Sequence, residues 1–213
     1  VLLNGGKSKV TELSDAHFDY AKTVERCGPF VDGFVINVSS PNTPNLRELQ
    51  KDEDLSRIII EVQKYSGEKP VLIKLAPDLE DMQIKSIVDT AMGLGCAGIV
   101  ATNTTVERPD EDGVMKQNGG LSGLPLRNRS TEVIRLIADH TDGQWPIIGV
   151  GGISSSDDAW EKIINGASLV QIYSAMVFEG AGVIKKIVNG LDRKLKQAGL
   201  DSLDQAVGLA RRK

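Results

Sequence analysis

The sequence predicts an α/β fold of the (β/α)₈ TIM-barrel type, with this chain supplying about six of the eight strands. Three observations predict it. Short, almost wholly apolar runs recur along the chain, amphipathic helical patterns separate them, and polar residues or glycines collect just after the runs end.

The runs are "VLLN" at the start, then "FVDGFVINV" (30–38), "PVLIKL" (70–75), "AGIVATN" (97–103), "WPIIGV" (145–150) and "ASLVQIY" (167–173). Nearly continuous apolar stretches are what parallel strands covered on both faces require. Helical patterns occupy about 11–26, 53–65, 130–140, 156–164 and 181–197. Another lies in "DMQIKSIVDTAMGLG", where Ile84, Ile87, Val88, Ala91 and Met92 share a face and Gly93 and Gly95 offer a stop. Strand and helix alternate without a hairpin signal, so right-handed βαβ crossovers and a parallel sheet follow.

A doubly wound sheet is the competing architecture. It normally carries GxGxxG after its first strand, whereas "GVGGIS" (149–154) has Ser154 in the last position and follows a late strand. The barrel is favoured because Asn37, Lys74, Asn103 and Gly151 stand where the loops of a barrel's catalytic face begin. The chain is read as one domain over 1–213, the later part of a larger protein, with two strands expected upstream. Without them the sheet has open edges, and the chain alone is expected to fold poorly.

Composition narrows the function. Of 213 residues, 29 are acidic and 25 basic, with no Lys/Arg run suited to a nucleic-acid groove, so a small-molecule partner is expected. Cys27 and Cys96 lack the spacing of a zinc site or a disulfide framework, and His17 and His140 fall in polar helical stretches; no metal site is expected. No apolar run approaches the roughly 20 residues of a membrane span.

The strand ends carry the chemistry. Lys74 interrupts a buried strand, which costs free energy unless a carboxylate partner, a route to the barrel mouth or a ligand's negative charge offsets it. "GVGGISSSDDAW" supplies open backbone N–H groups, hydroxyls and a helix N-terminus, and "YSAMVF" supplies a second N-terminus, together the ingredients of a phosphate site. Residues 105–128 exceed the length of an ordinary connection, about 12 to 15 residues at most, which suggests function around "GGLSG" and a solvated "ERPDEDG".

"NVSSPNT", "KLAPD", "TNTT", "GGLSG", "IGVGGISS" and "GASLVQIYSA" occur in this order, and the set resembles the class 2 dihydroorotate dehydrogenases from Asn4 to the tail. The resemblance implies an FMN-binding barrel that oxidises dihydroorotate to orotate in pyrimidine synthesis and passes electrons to a quinone. It puts Ser40 in the role of base, with the proton leaving through a neighbouring hydroxyl such as Thr104 or a water. It implies flavin contacts at Asn4, Asn37, Lys74, Thr102, Gly123, Gly151, Gly152, Tyr173 and Ser174, and substrate contacts at Asn37, Asn42, Asn103 and Thr104. Ser174 stands where family members often carry threonine. The upstream part of the family holds two strands, further contacts and a small helical domain that receives the quinone. That part attaches the enzyme peripherally to the mitochondrial inner membrane, the preferred case, or to the bacterial cytoplasmic membrane. A non-catalytic phosphate-binding barrel, an inactive fragment and another FMN barrel dehydrogenase are the alternatives.

Overall fold

A computed structural model describes residues 1–108 and 118–212. They fall into two compact units, Val1–Asn103 and Thr104–Lys213.

The first unit runs β1 (Leu2–Gly5), α1 (Ala16–Cys27), β2 (Gly33–Asn37), α2 (Asp52–Ser66), β3 (Val71–Lys74), α3 (Asp81–Gly93) and β4 (Gly98–Ala101). The strands lie in chain order and each pairs with the next in parallel. In β2, β3 and β4 every residue is buried except Asn37 and Lys74, each the last of its strand. Burial on both faces explains why these strands read as unbroken apolar runs. β1 alternates exposed and half-buried residues, as a less covered strand does.

The helices cover the sheet through regular apolar stripes. α2 buries Leu55, Ile58, Ile59 and Val62, and α3 buries Ile84, Ile87, Val88 and Ala91, both at i, i+3, i+4, i+7. Each such Leu, Ile or Val side chain contributes roughly 1.5–3 kcal/mol by leaving water. A capping box between Glu80 and Gln83 starts α3. β2 begins three residues later than the apolar run, because Gly28–Phe30 forms a 3₁₀ turn that includes Pro29.

The second unit runs α4 (Arg127–His140), β5 (Ile147–Val150), α5 (Ser156–Ile164), β6 (Leu169–Gln171), α6 (Ser174–Glu179), α7 (Gly182–Ala198) and α8 (Leu203–Ala206). β5 and β6 pair in parallel. Ile163, Val183, Ile187 and Leu191 form much of its core with Ile153 and Ala159. α4 begins earlier than its apolar pattern, through a polar first turn that carries Arg127. Thr105 and Leu121 form an antiparallel bridge at the neck of the long loop. Arg108 there donates to the carbonyls of Glu107 and Gly119, so this part of "ERPDEDG" does structural work rather than standing free in solvent. The rest of that motif, 109–113, lies outside the described residues.

Among the described residues no group of His, Cys, Asp and Glu could hold a metal, and no helix is long and apolar enough to cross a membrane. Neither Cys27 nor Cys96 is in a disulfide, and burial pushes the Cys96 thiol up to about 12. His17 is half-buried and His140 exposed.

Candidate active site

The end of the first unit's sheet is where its polar residues gather. Asn37 and Lys74 are register partners on β2 and β3, so their side chains leave the same face of the sheet. Asn4 pairs with Val35, which places it on that face two residues earlier along the strands. Lys74 is half-buried, and desolvation holds its ammonium below the ordinary lysine range. It has no hydrogen-bond or ion-pair partner among the described residues. Among the described residues, the carboxylate pairing that would make it a structural lysine is not formed.

The loop after β2 is built around the Asn37 side chain. Its Oδ1 accepts from the Ser39 N–H at 3.3 Å, the Ser39 hydroxyl at 3.1 Å and Asn103 Nδ2 at 3.0 Å. Asn103 Nδ2 also donates to Ser39 Oγ at 3.0 Å, and the Tyr20 hydroxyl donates to the Asn37 carbonyl at 2.9 Å. With its oxygen saturated, the Asn37 amide is held in one orientation and its NH₂ remains available to a ligand. Ser40 is half-buried; its Oγ accepts the Asn42 backbone N–H at 3.3 Å and donates to no described residue. The Asn42 side chain is exposed. Thr102 follows a cis peptide, is 2 % exposed and spends its hydroxyl on the Asn103 carbonyl at 3.0 Å.

Three contributors had no signal in the sequence. Ser39 is fully buried, and its N–H and hydroxyl are what orient Asn37. Arg47 donates through Nε to the Ser39 carbonyl at 3.1 Å and through a terminal nitrogen to Asp78 at 2.6 Å. Gln50 accepts the Ala76 N–H at 3.2 Å, joining the same loop to the segment after β3.

In the second unit, Thr104 is the half-buried first residue. Gly123 has φ +85°, and a Cβ there would lie 3.8 Å from Ser174 Oγ. The neighbouring Ser122 hydroxyl meets that of Ser174 at 2.9 Å, so "GGLSG" and the start of α6 are brought together. Gly151 and Gly152 have φ +123° and +69°, and a Cβ on Gly152 would fall 2.5 Å from Arg127 Cβ. The glycine turn is therefore pressed onto the first turn of α4. The amides of Gly152 and Ser174 have no acceptor among the described residues. Tyr173, just before α6, is 76 % exposed. Beneath the glycine turn, Asp158 accepts from the N–H groups and hydroxyls of Ser154 and Ser155 and from Arg127, and these bonds hold its carboxyl below the usual range despite its burial.

Each unit therefore presents groups suited to an anion: an uncompensated cation in the first and open amides at glycine turns in the second. The model of the family described as dihydroorotate dehydrogenase matches residues 2–195 of the chain. The chain belongs to the dihydroorotate dehydrogenase family. Relatives named dihydroorotate dehydrogenase (quinone) include that of Trichodesmium erythraeum, 46% identical with 98% of this chain and 58% of the relative covered. That of Gloeobacter violaceus is 48% identical, covering 98% of this chain and 59% of the relative. The crystal structure of the Eimeria tenella DHODH in complex with ferulenol superposes with a TM-score of 0.93 at 35% identity, over 100% of this chain and 62% of that one. The fold is accordingly that of a (β/α)₈ barrel, represented here by six parallel strands. The chain spans a little under three-fifths of the length of the curated relatives it matches.

Proposed function

We propose that the protein containing this chain is an FMN-dependent dihydroorotate dehydrogenase that hands its electrons to a quinone, within a single flavin-binding barrel domain. The observation that carries the reading is the pairing of the uncompensated Lys74 with the pinned Asn37 on one face of the sheet. Family membership and the quinone-dependent relatives support it.

The residues present fit a bound FMN. Lys74 and the Asn37 NH₂, with Asn4 on the same face, suit its electron-rich ring. The turns of Gly123, Gly151 and Gly152 and the residues Tyr173 and Ser174 offer amides and a hydroxyl to its phosphate. When bound, FMN supplies the acceptor for the hydride from dihydroorotate C6, and a fixed ammonium favours the reduced, more negative ring. Thr102 supports this group through the backbone of Asn103.

Ser40 takes the proton from C5 as its own hydroxyl proton passes to a neighbouring hydroxyl or a water, so that loss of a proton and a hydride leaves the ring double bond of orotate. A serine is a weak base, and the Asn42 N–H aimed at Oγ favours the oxygen as it gains negative charge. Asn37, Asn42, Asn103 and Thr104 orient the pyrimidine by directional hydrogen bonds without burying a further charge. A quinone would serve as the final acceptor of the two electrons, leaving as the quinol with two protons. Its site, and peripheral attachment to the mitochondrial inner membrane or a bacterial cytoplasmic membrane, belong to other parts of the protein in this reading.

The experiment is anaerobic mixing of the full-length, flavin-loaded protein with dihydroorotate. The flavin band is expected to bleach and to recover on addition of quinone. Bleaching by other reductants but not by dihydroorotate would contradict it.

A further inference from the structure

We propose that Arg47 is a positioning residue for Ser40, acting through the peptide that precedes it; the inference rests on the dehydrogenase reading above. The peptide joining Ser39 to Ser40 is fixed from both sides. Ser39 donates its N–H and hydroxyl to Asn37 Oδ1, and its carbonyl accepts Arg47 Nε at 3.1 Å. The only atoms between that carbonyl and the Ser40 side chain are those of one peptide and one Cα, so its direction fixes the point from which that side chain starts.

Arg47 is itself held rigidly. Its guanidinium reaches Asp78 Oδ2 at 2.6 Å, and both side chains are mostly buried, 24 % and 14 % exposed. Arg47 opens the second position of a 3₁₀ turn, Leu46–Gln50, whose Leu46 and Leu49 are buried and whose Gln50 accepts the Ala76 N–H. Gln50 Nε2 donates back to the Arg47 carbonyl at 3.2 Å. The loop that carries Ser40 is thereby fastened to the segment directly after Lys74, the residue assigned to the flavin. Ser40 and the flavin-side cation thus share one frame, and Arg47 is the link that touches the serine's own peptide.

The guanidinium is suited to this because its planar fork serves two acceptors in fixed directions. A lysine ammonium at the same place retains the charge opposite Asp78 without holding the second acceptor in the same geometry. Arg47 touches neither substrate nor flavin in this assignment, so its loss acts on the rate of proton removal more than on binding.

The test uses the full-length holoenzyme with Arg47→Ala, Arg47→Lys and Asp78→Asn. Flavin reduction by dihydroorotate, and by dihydroorotate deuterated at C5, is followed anaerobically, and orotate binding by its perturbation of the flavin spectrum. We expect reduction at saturating substrate to slow by about 10- to 100-fold in Arg47→Ala and Arg47→Lys, with a smaller fall in Asp78→Asn. The orotate Kd stays within about threefold, and the C5 isotope effect grows. Should Arg47→Ala not fold, Arg47→Lys and Asp78→Asn carry the same comparison. Wild-type rates in Arg47→Lys, or a rate loss matched by equal loss of orotate and flavin binding, overturn the inference. Failure of dihydroorotate to reduce the unsubstituted enzyme overturns the dehydrogenase reading, and this inference with it.

Discussion

Asn37 and Lys74 end adjacent parallel strands in register, and the amide of one is locked by three donors while the ammonium of the other has no counter-charge among the described residues. The sheet thus holds a directed donor and an uncompensated cation side by side, at a cost in free energy that a bound anion would offset.

Replacement of that cation separates stability from binding. Lys74→Met removes a half-buried, unpartnered ammonium, so the flavin-free variant is expected to unfold at higher urea concentration than the flavin-free parent. The same variant binds FMN more weakly. Parallel urea titrations and flavin-binding titrations check the two opposite signs.

Loss of the Ser40 hydroxyl leaves the flavin contacts untouched. Ser40→Ala is expected to retain FMN and to slow flavin reduction by about 10²- to 10⁴-fold, the range of general base contributions. Stopped-flow reduction at the parent rate would show that the base lies elsewhere.

Lys162 makes stability depend on alkaline pH. It is fully buried in α5, donates to the Arg127 carbonyl and the Thr131 hydroxyl at 2.6 Å each, and is pushed down to about 8 by burial. Between about 8 and its unfolded value of 10.5, the unfolded chain binds the proton that the folded chain has released. Stability therefore rises with pH across that window relative to Lys162→Met, which has no ammonium to titrate. Urea unfolding of both proteins from neutral pH to about pH 10 measures the difference.

The two most tightly packed glycines of positive φ should fail differently. A Cβ on Gly152 meets Arg127 Cβ at 2.5 Å and one on Gly166 meets Ala138 Cβ at 2.3 Å, both at positive φ. Alanine at either site is expected to destabilise by at least the roughly 1–3 kcal/mol of a strained backbone. Only Gly152→Ala should also lower the flavin bound per folded molecule, read from absorbance against circular dichroism.

Much of this was legible in the primary structure. The strands reveal themselves because burial on both faces demands unbroken apolar runs, and Asn37 and Lys74 stand out as polar residues ending such runs. The helix stripes of α2 and α3 are equally plain. Strand limits were overestimated where Pro29 starts a turn, and α8 went unseen because four residues are too short for a period to show. Arg47, Asp78 and Lys162 stayed hidden for a different reason. Arg47 and Lys162 each meet partners 31 residues away, a pairing that only the crossover topology creates. Lys162 in particular looks like any surface lysine of a helix until α4 is placed against it. The role of Ser39 was masked by its neighbour, since two adjacent serines look alike until one is found buried and the other not.

The central claim is best tested by rapid anaerobic mixing of the full-length, flavin-loaded protein with dihydroorotate, followed by a quinone. Stoichiometric bleaching of the flavin band, formation of orotate and return of the band with quinone are expected. A flavin that stays oxidised in saturating dihydroorotate, in protein that a chemical reductant still bleaches, would contradict it.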